Sequence, residues 1–165
     1  MATTRATYAS PGHLVRRASQ LHTQIFDEVY EGIVTPRQFA VLIALDRRPG
    51  IDQITLSNLV AIDRTTIGGM VSRLAARGYI HDIADPCDGR RKLLRLTPEG
   101  ERLLETLVPR IGAVTDRLLA PLTPAERTTF LELLAKIATV EDSTFPGYRA
   151  SVLAELSRPT NNRRR

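Results

Sequence analysis

One unbroken stretch constrains the fold more than any other part of the chain. Asp63 to Gly100, DRTTIGGMVSRLAARGYIHDIADPCDGRRKLLRLTPEG, supplies a helix, a basic hairpin and the start of a second helix with no spacer between them. Asp63 is an N-cap residue by type, because its carboxylate can accept from the free N–H groups of a first helical turn. Gly78 can take the left-handed conformation that ends the helix. Between them Ile67, Met70, Val71 and Leu74 recur at spacings of three and four, so one side of the helix is buried. The other side, Arg64, Thr65, Thr66, Gly68, Gly69, Ser72 and Arg73, is short and polar. An ordinary amphipathic surface helix shares this pattern. So does a helix that presses into the major groove of DNA, which needs small residues for close approach, hydroxyls for phosphates and base edges, and arginines for guanine or phosphate. Adjacent glycines inside a helix cost about 1 kcal/mol each relative to alanine, and close approach is the compensation expected here.

The neighbouring segments favour the second reading. Upstream, Asp52 to Val60 (DQITLSNLV) reads as a short capped helix with Leu56, Leu59 and Val60 inward, joined through Ala61, Ile62 and Asp63 to the next helix. Two helices across so tight a connection form a helix-turn-helix, whose second helix reads the groove while the first braces it. Downstream, Tyr79 to Ala84 and Lys92 to Leu96 read as two strands around the turn formers Asp85, Pro86, Asp88 and Gly89. The tip of this hairpin carries Arg90, Arg91 and Lys92, a positive prong suited to an adjacent minor groove. Asp88 is read as the carboxylate that orients the Arg90 guanidinium. A solvated charged turn is the bland alternative for the same residues.

From about Pro36 to Leu104 the chain resembles the MarR (multiple antibiotic resistance regulator) family of bacterial winged helix-turn-helix transcription regulators. TPRQFAVLIAL (Thr35 to Leu45) resembles the family's second helix, and IDRTTIGGMVSRLAARGYI (Ile62 to Ile80) its recognition helix and first wing strand. DGRRKLLRLTPEG (Asp88 to Gly100) resembles the wing pattern of Asp-x-Arg, leucine, threonine and glycine. Two positions depart from the pattern. Ala61 stands where the family often has Gly, which would tighten the turn slightly, and Gly89 stands where a second basic residue is common, which lowers the charge of the tip by one. The resemblance implies a mainly α-helical winged helix-turn-helix fold with a small β-hairpin wing. It assigns DNA binding to Arg64, Thr65, Thr66, Gly68, Ser72, Arg73, Asp88, Arg90 and Arg91.

Composition fits and bounds the rest. At 165 residues the length is that of one domain with a modest core. A net charge of +5 favours polyanionic partners, although NNRRR at Asn161 to Arg165 supplies three of the positive charges and reads equally as a disordered end. A single cysteine excludes an intramolecular disulfide framework and fits a reducing cytoplasm. MATTRATYAS lacks the apolar core of an export signal, and Phe39 to Leu45, the longest apolar run, is far too short to span a bilayer.

The expected organisation is a flexible N-terminus (1–10), a helical dimerisation region (11–34 and 98–157), a winged helix-turn-helix region (35–97) and a flexible basic tail (158–165). Pro11 to Tyr30 sets Leu14, Ala18, Leu21, Ile25 and Val29 on one face, widened by Val15, His22 and Phe26. Thr35 with Pro36 and Gln38 spells a capped helix start; Thr97 with Pro98, and Thr123 with Pro124 and Glu126, repeat the device. Leu104, Leu107, Val108, Ile111, Val114 and Leu118 form a helical stripe that Pro109 should kink, and Phe130, Leu131, Leu134 and Ile137 form another. A last short helix is expected around Tyr148 to Leu156. These stripes exceed what one small winged helix needs, and in the family the first and last helices interleave into a twofold dimer. Two recognition helices about 34 Å apart on a dyad match successive major grooves, so the operator should be a near palindrome.

The resemblance also implies an effector, commonly a small aromatic acid held where the first, second and fifth helices meet the dimer interface. Arg16, Arg17, Gln20 and His22 are the candidate ligand residues, with Arg17 between Leu14 and Leu21 and able to pair a carboxylate. GHLVRRASQLHTQIF also resembles branch members that govern breakdown of phenolic and hydroxycinnamic acids, so a CoA thioester of such an acid is a second candidate. Arg16 and Arg17 read equally well as solvated, or paired with Asp27 or Glu28; His22 reads as a ligand contact or a satisfied interface histidine. Cys87 lies in the wing loop, poorly placed for an oxidation sensor, and His13, His22 and His81 are dispersed without metal-ligand spacing. No Gly-rich phosphate loop, serine elbow or metal motif is present, so neither a cofactor nor catalysis is expected. A winged helix used purely for protein docking is the alternative, and it would call for an apolar or acidic recognition face.

Overall fold

The computed structural model describes residues 10–88 and 91–138. Gly89, Arg90, the expected helix near Tyr148 to Leu156 and the basic tail lie outside the described residues. The elements are α1 (Pro11–Tyr30), α2 (Pro36–Arg47), β1 (Ile51–Asp52), α3 (Gln53–Leu59), α4 (Arg64–Ala76), β2 (Ile80–Ala84), β3 (Lys92–Leu96), α5 (Pro98–Leu107), a 3-10 turn (Val108–Arg110), α6 (Ile111–Leu118) and α7 (Pro124–Ala138). The described chain divides after Leu118 into two compact units.

Helix starts follow the chemistry of their caps. Thr35 accepts from the Gln38 N–H while the Gln38 side chain accepts from the Thr35 N–H, a complete capping box with Pro36 at the first position. Asp52 caps α3, Asp63 caps α4 and Thr97 caps α5 by the same acceptor geometry. α1 ends where Glu31 and Gly32 turn left-handed, with φ of 53° and 71°. Pro109 interrupts the stripe from Leu104 to Leu118 as expected, replacing α-helix by a 3-10 turn between α5 and α6.

The sheet has three strands, ordered β1-β3-β2 and antiparallel throughout. Ile80 pairs Leu96 at one end of the hairpin and Ala84 pairs Lys92 at the other. The sequence gives no sign of β1, because two residues are too short for a periodic pattern; Ile51 and Asp52 join by pairing with Leu94 and Leu93.

Below this sheet one continuous core joins α1, α2, α4 and α5 through Phe26, Tyr30, Leu42, Leu45, Leu74 and Leu107. Phe26 and Tyr30 stack with ring centroids 4.0 Å apart, and Phe39 tilts against both. The Tyr30 hydroxyl donates to the Leu107 carbonyl at 3.1 Å, tying α1 to the end of α5. The C-terminal half of α1 therefore packs into the same core as the 35–97 region. Its N-terminal half does not: Leu14, Val15, Ala18 and Leu21 are exposed. In the second unit α7 starts at Thr123, whose N–H donates to Glu126, and leaves Phe130, Leu133, Leu134 and Ile137 exposed.

Candidate nucleic-acid interface

The turn between α3 and α4 is closed by a buried serine. Ser57 Oγ donates to the Ile62 carbonyl at 2.6 Å, and the Ile62 N–H returns to the Ser57 carbonyl at 3.1 Å. Between them Ala61 takes φ of 51°, the left-handed region, which explains why glycine suits this position. The expectation of a slightly tightened turn is thus refined: the departure from Gly puts a Cβ on a strained backbone.

Asp63 then accepts from the Thr66 N–H at 2.8 Å, and that bond holds its carboxyl below the usual carboxylate range. Ile67, Met70 and Leu74 are buried, which fixes the rotation of α4. Arg64, Thr65, Ser72 and Arg73 are exposed on the opposite side, with Thr66 and Gly68 half-buried at its edge. A Cβ on Gly68 would lie 3.1 Å from Gln53 Nε2, so this glycine lets α3 come close to α4, whereas Gly69 meets only Arg73 of its own helix.

The far end of α4 is locked to its surroundings. Gly78, at φ of 76°, lets the Tyr79 N–H return to the Leu74 carbonyl at 3.0 Å. Arg77 donates to the Ile33 carbonyl at 3.0 Å and lies 4.9 Å over the Tyr79 ring. Thr97 donates through its N–H to the Tyr79 carbonyl and through Oγ1 to the Gly78 carbonyl. A Cβ on Gly100 would fall 2.0 Å from the Tyr79 carbonyl oxygen, so only glycine lets α5 start there. The left-handed helix end at Gly78 and the glycine of the wing pattern were readable in the sequence; the Arg77, Thr97 and Gly100 links to their partners were not.

Two cations of the wing are engaged by carboxylates of the described residues. Arg91 folds back onto Asp52, with Nη2 2.5 Å from Oδ2, and its other nitrogen lies 3.8 Å from Asp85. Asp52 is thereby shared between the α3 cap, where it accepts from Thr55, and the wing. The Thr55 N–H, with the Arg91 guanidinium as a smaller contribution, holds the Asp52 carboxyl below its usual range. Lys92 pairs with Asp82 at 2.7 Å across the two strands, which raises the Lys92 ammonium and lowers the Asp82 carboxyl. At the tip the Arg91 N–H donates to the Asp88 carbonyl at 2.8 Å, and Cys87 is exposed beside an Asp85 turn. The pairing expected between Asp88 and Arg90 involves a residue outside those described.

The candidate ligand residues sit on α1, exposed except for His22. Arg16 contacts His13 Nδ1 at 3.0 Å. Gln20 and His22, two residues apart at about 100° per residue, point to opposite sides of the helix and do not converge within the chain. His22 packs beside Phe26, with ring centroids 5.9 Å apart, and burial lowers its pKa so that the neutral imidazole prevails. Glu28, an alternative partner for these arginines, is engaged by Arg117 and Gln24 instead.

A helix-turn-helix with an exposed cationic second helix, flanked by a three-stranded sheet and its hairpin, defines the winged helix-turn-helix class of DNA-binding proteins. A sequence model of the MarR family matches residues 34–91. The transcriptional repressor NicR of Pseudomonas putida is 34% identical over 80% of this chain and 84% of its own. PcaV of Streptomyces coelicolor, solved in complex with its natural ligand, is 42% identical with a TM-score of 0.74, over 83% of this chain and 95% of PcaV. Bordetella bronchiseptica BpsR, whose DNA binding is regulated by 6-hydroxynicotinic acid, is 36% identical with a TM-score of 0.76, over 79% of this chain and 94% of BpsR. The chain belongs to the MarR family of transcriptional regulators and is not an enzyme.

Proposed function

We propose that the protein is a homodimeric repressor that occupies a near-palindromic operator and leaves it when a small aromatic carboxylate, or the CoA thioester of one, binds. The observation that carries this reading is the division of α1. Its C-terminal half is core, while its N-terminal half leaves Leu14, Val15 and Leu21 exposed with Arg16 and Arg17 among them. An apolar face that the described residues do not cover fits a second copy, and a dimer that reads successive major grooves would hold its two α4 helices about 34 Å apart. On each half-site Arg64, Thr65, Thr66, Ser72 and Arg73 face the groove, and the adjacent minor groove is assigned to Arg90, which lies outside the described residues.

The effector reading rests on chemistry that pairing would concentrate. Arg17 offers a planar fork for a carboxylate, and a neutral His22 can exchange a hydrogen bond with a phenol or ring nitrogen. A ligand seated there touches the half of α1 that meets the partner, so it can change the separation of the reading heads. The regulation of BpsR by 6-hydroxynicotinic acid and the liganded state of PcaV support an aromatic effector. Thermal-shift screening against phenolic acids, hydroxynicotinates and their CoA esters, followed by release of bound DNA with each hit, tests this. Arg17→Ala should keep DNA affinity and lose release; normal release would remove Arg17 from the site.

A further inference from the structure

We propose that Gln53, the first residue of the bracing helix α3, is a DNA-contact residue whose carboxamide donates to a backbone phosphate at the wall of the groove that α4 enters. This rests on the DNA-reading function above and assigns it a residue on the bracing helix.

The placement follows from Gly68. That residue lies at the edge of the groove-facing side of α4, and Gln53 Nε2 is 3.1 Å from where its Cβ would stand. The carboxamide thus lies directly against the α4 backbone, on the flank from which a groove wall is reached. Gln53 is exposed, and its side chain makes no hydrogen bond among the described residues. Its neighbour Asp52 is held on one side by the Thr55 N–H at 2.8 Å and on the other by Arg91 of the wing at 2.5 Å. The base of Gln53 is therefore fixed between the recognition helix and the wing. A primary amide offers two N–H donors, and phosphate oxygens are acceptors, so the pairing needs no added charge. A side chain at Gly68 would displace the carboxamide, which gives that glycine a function in the complex as well as in the fold.

The test uses the full chain on two short duplexes, one enriched by the wild-type protein from a random-sequence library and one scrambled. Gln53→Ala should weaken binding to both by about tenfold with an unchanged melting temperature. Gly68→Ala should lose a similar factor, and adding it to Gln53→Ala should cost little more, because both remove one contact. Gln53→Lys should restore affinity and steepen the salt dependence by about one unit of slope. Wild-type affinity in Gln53→Ala overturns the inference, as does a loss confined to the enriched duplex, which would mark a base edge. A lowered melting temperature in Gln53→Ala, or a full additional loss from Gly68→Ala in that background, also overturns it. If the wild-type protein enriches no duplex, the DNA-reading function itself fails, which separates the two results.

Discussion

Ala61 and Gly100 are single residues whose backbone decides how the reading head is held. Ala61 sits at φ of 51° in the turn between α3 and α4, a region that costs a residue with a Cβ about 1 to 2 kcal/mol. Ala61→Gly relieves that strain, and the added freedom of the unfolded chain offsets only part of the gain, so stability should rise by about 0.5 to 1 kcal/mol. A urea titration with an unchanged slope and a higher midpoint is the expected result; a lower midpoint would mean that the turn relies on the Ala61 methyl. Gly100 is the reverse case. A methyl there would fall 2.0 Å from the Tyr79 carbonyl oxygen, a backbone atom that Thr97 also holds. Gly100→Ala should cost about 2 kcal/mol or more, and urea stability equal to wild type would show that α5 can shift without loss.

At the scale of elements, the wing and α3 share one carboxylate. Asp52 ends β1, caps α3 and pairs with Arg91, so the wing is tied to the helix that braces α4. Asp52→Ala should lower stability by about 1 kcal/mol at neutral pH. The Asp52 carboxyl is held below its unfolded value, so its contribution is complete above about pH 4 and is lost as pH falls through the lower folded value. The stability gap between wild type and Asp52→Ala should therefore narrow on acidification below about pH 4; a gap that widened would contradict the assignment. These joints mark the limit of what the sequence conveyed. Caps at Thr35, Asp63 and Thr97, the stripe of Ile67, Met70 and Leu74, and the break at Pro109 are local chemistry and were readable. β1, the Asp52–Arg91 pair and the Arg77 link to Ile33 join residues far apart in the chain, and nothing in their local pattern records the partner. The charge content of the hairpin did not reveal that Arg91 and Lys92 are engaged by Asp52 and Asp82.

At the scale of the whole molecule the helices divide into a core that orients α4 and an apolar surface on α1, with Leu14, Val15 and Leu21 exposed, that is the face proposed to meet a second copy. The exposed face of α4, with Arg64, Thr65, Ser72 and Arg73, is the face proposed to meet phosphates and base edges. Asp63, next to Arg64 in the chain, is engaged by the α4 cap through the Thr66 N–H, whereas Asp52 both caps α3 and holds Arg91 of the wing.

The most direct test is the salt dependence of binding to a duplex that carries both half-sites and was enriched by the wild-type chain. A paired regulator that neutralises several phosphates per half-site should show log affinity falling linearly with log salt at a slope of about −5 or steeper. A slope near zero would contradict the claim that this chain reads DNA through the cationic face of α4.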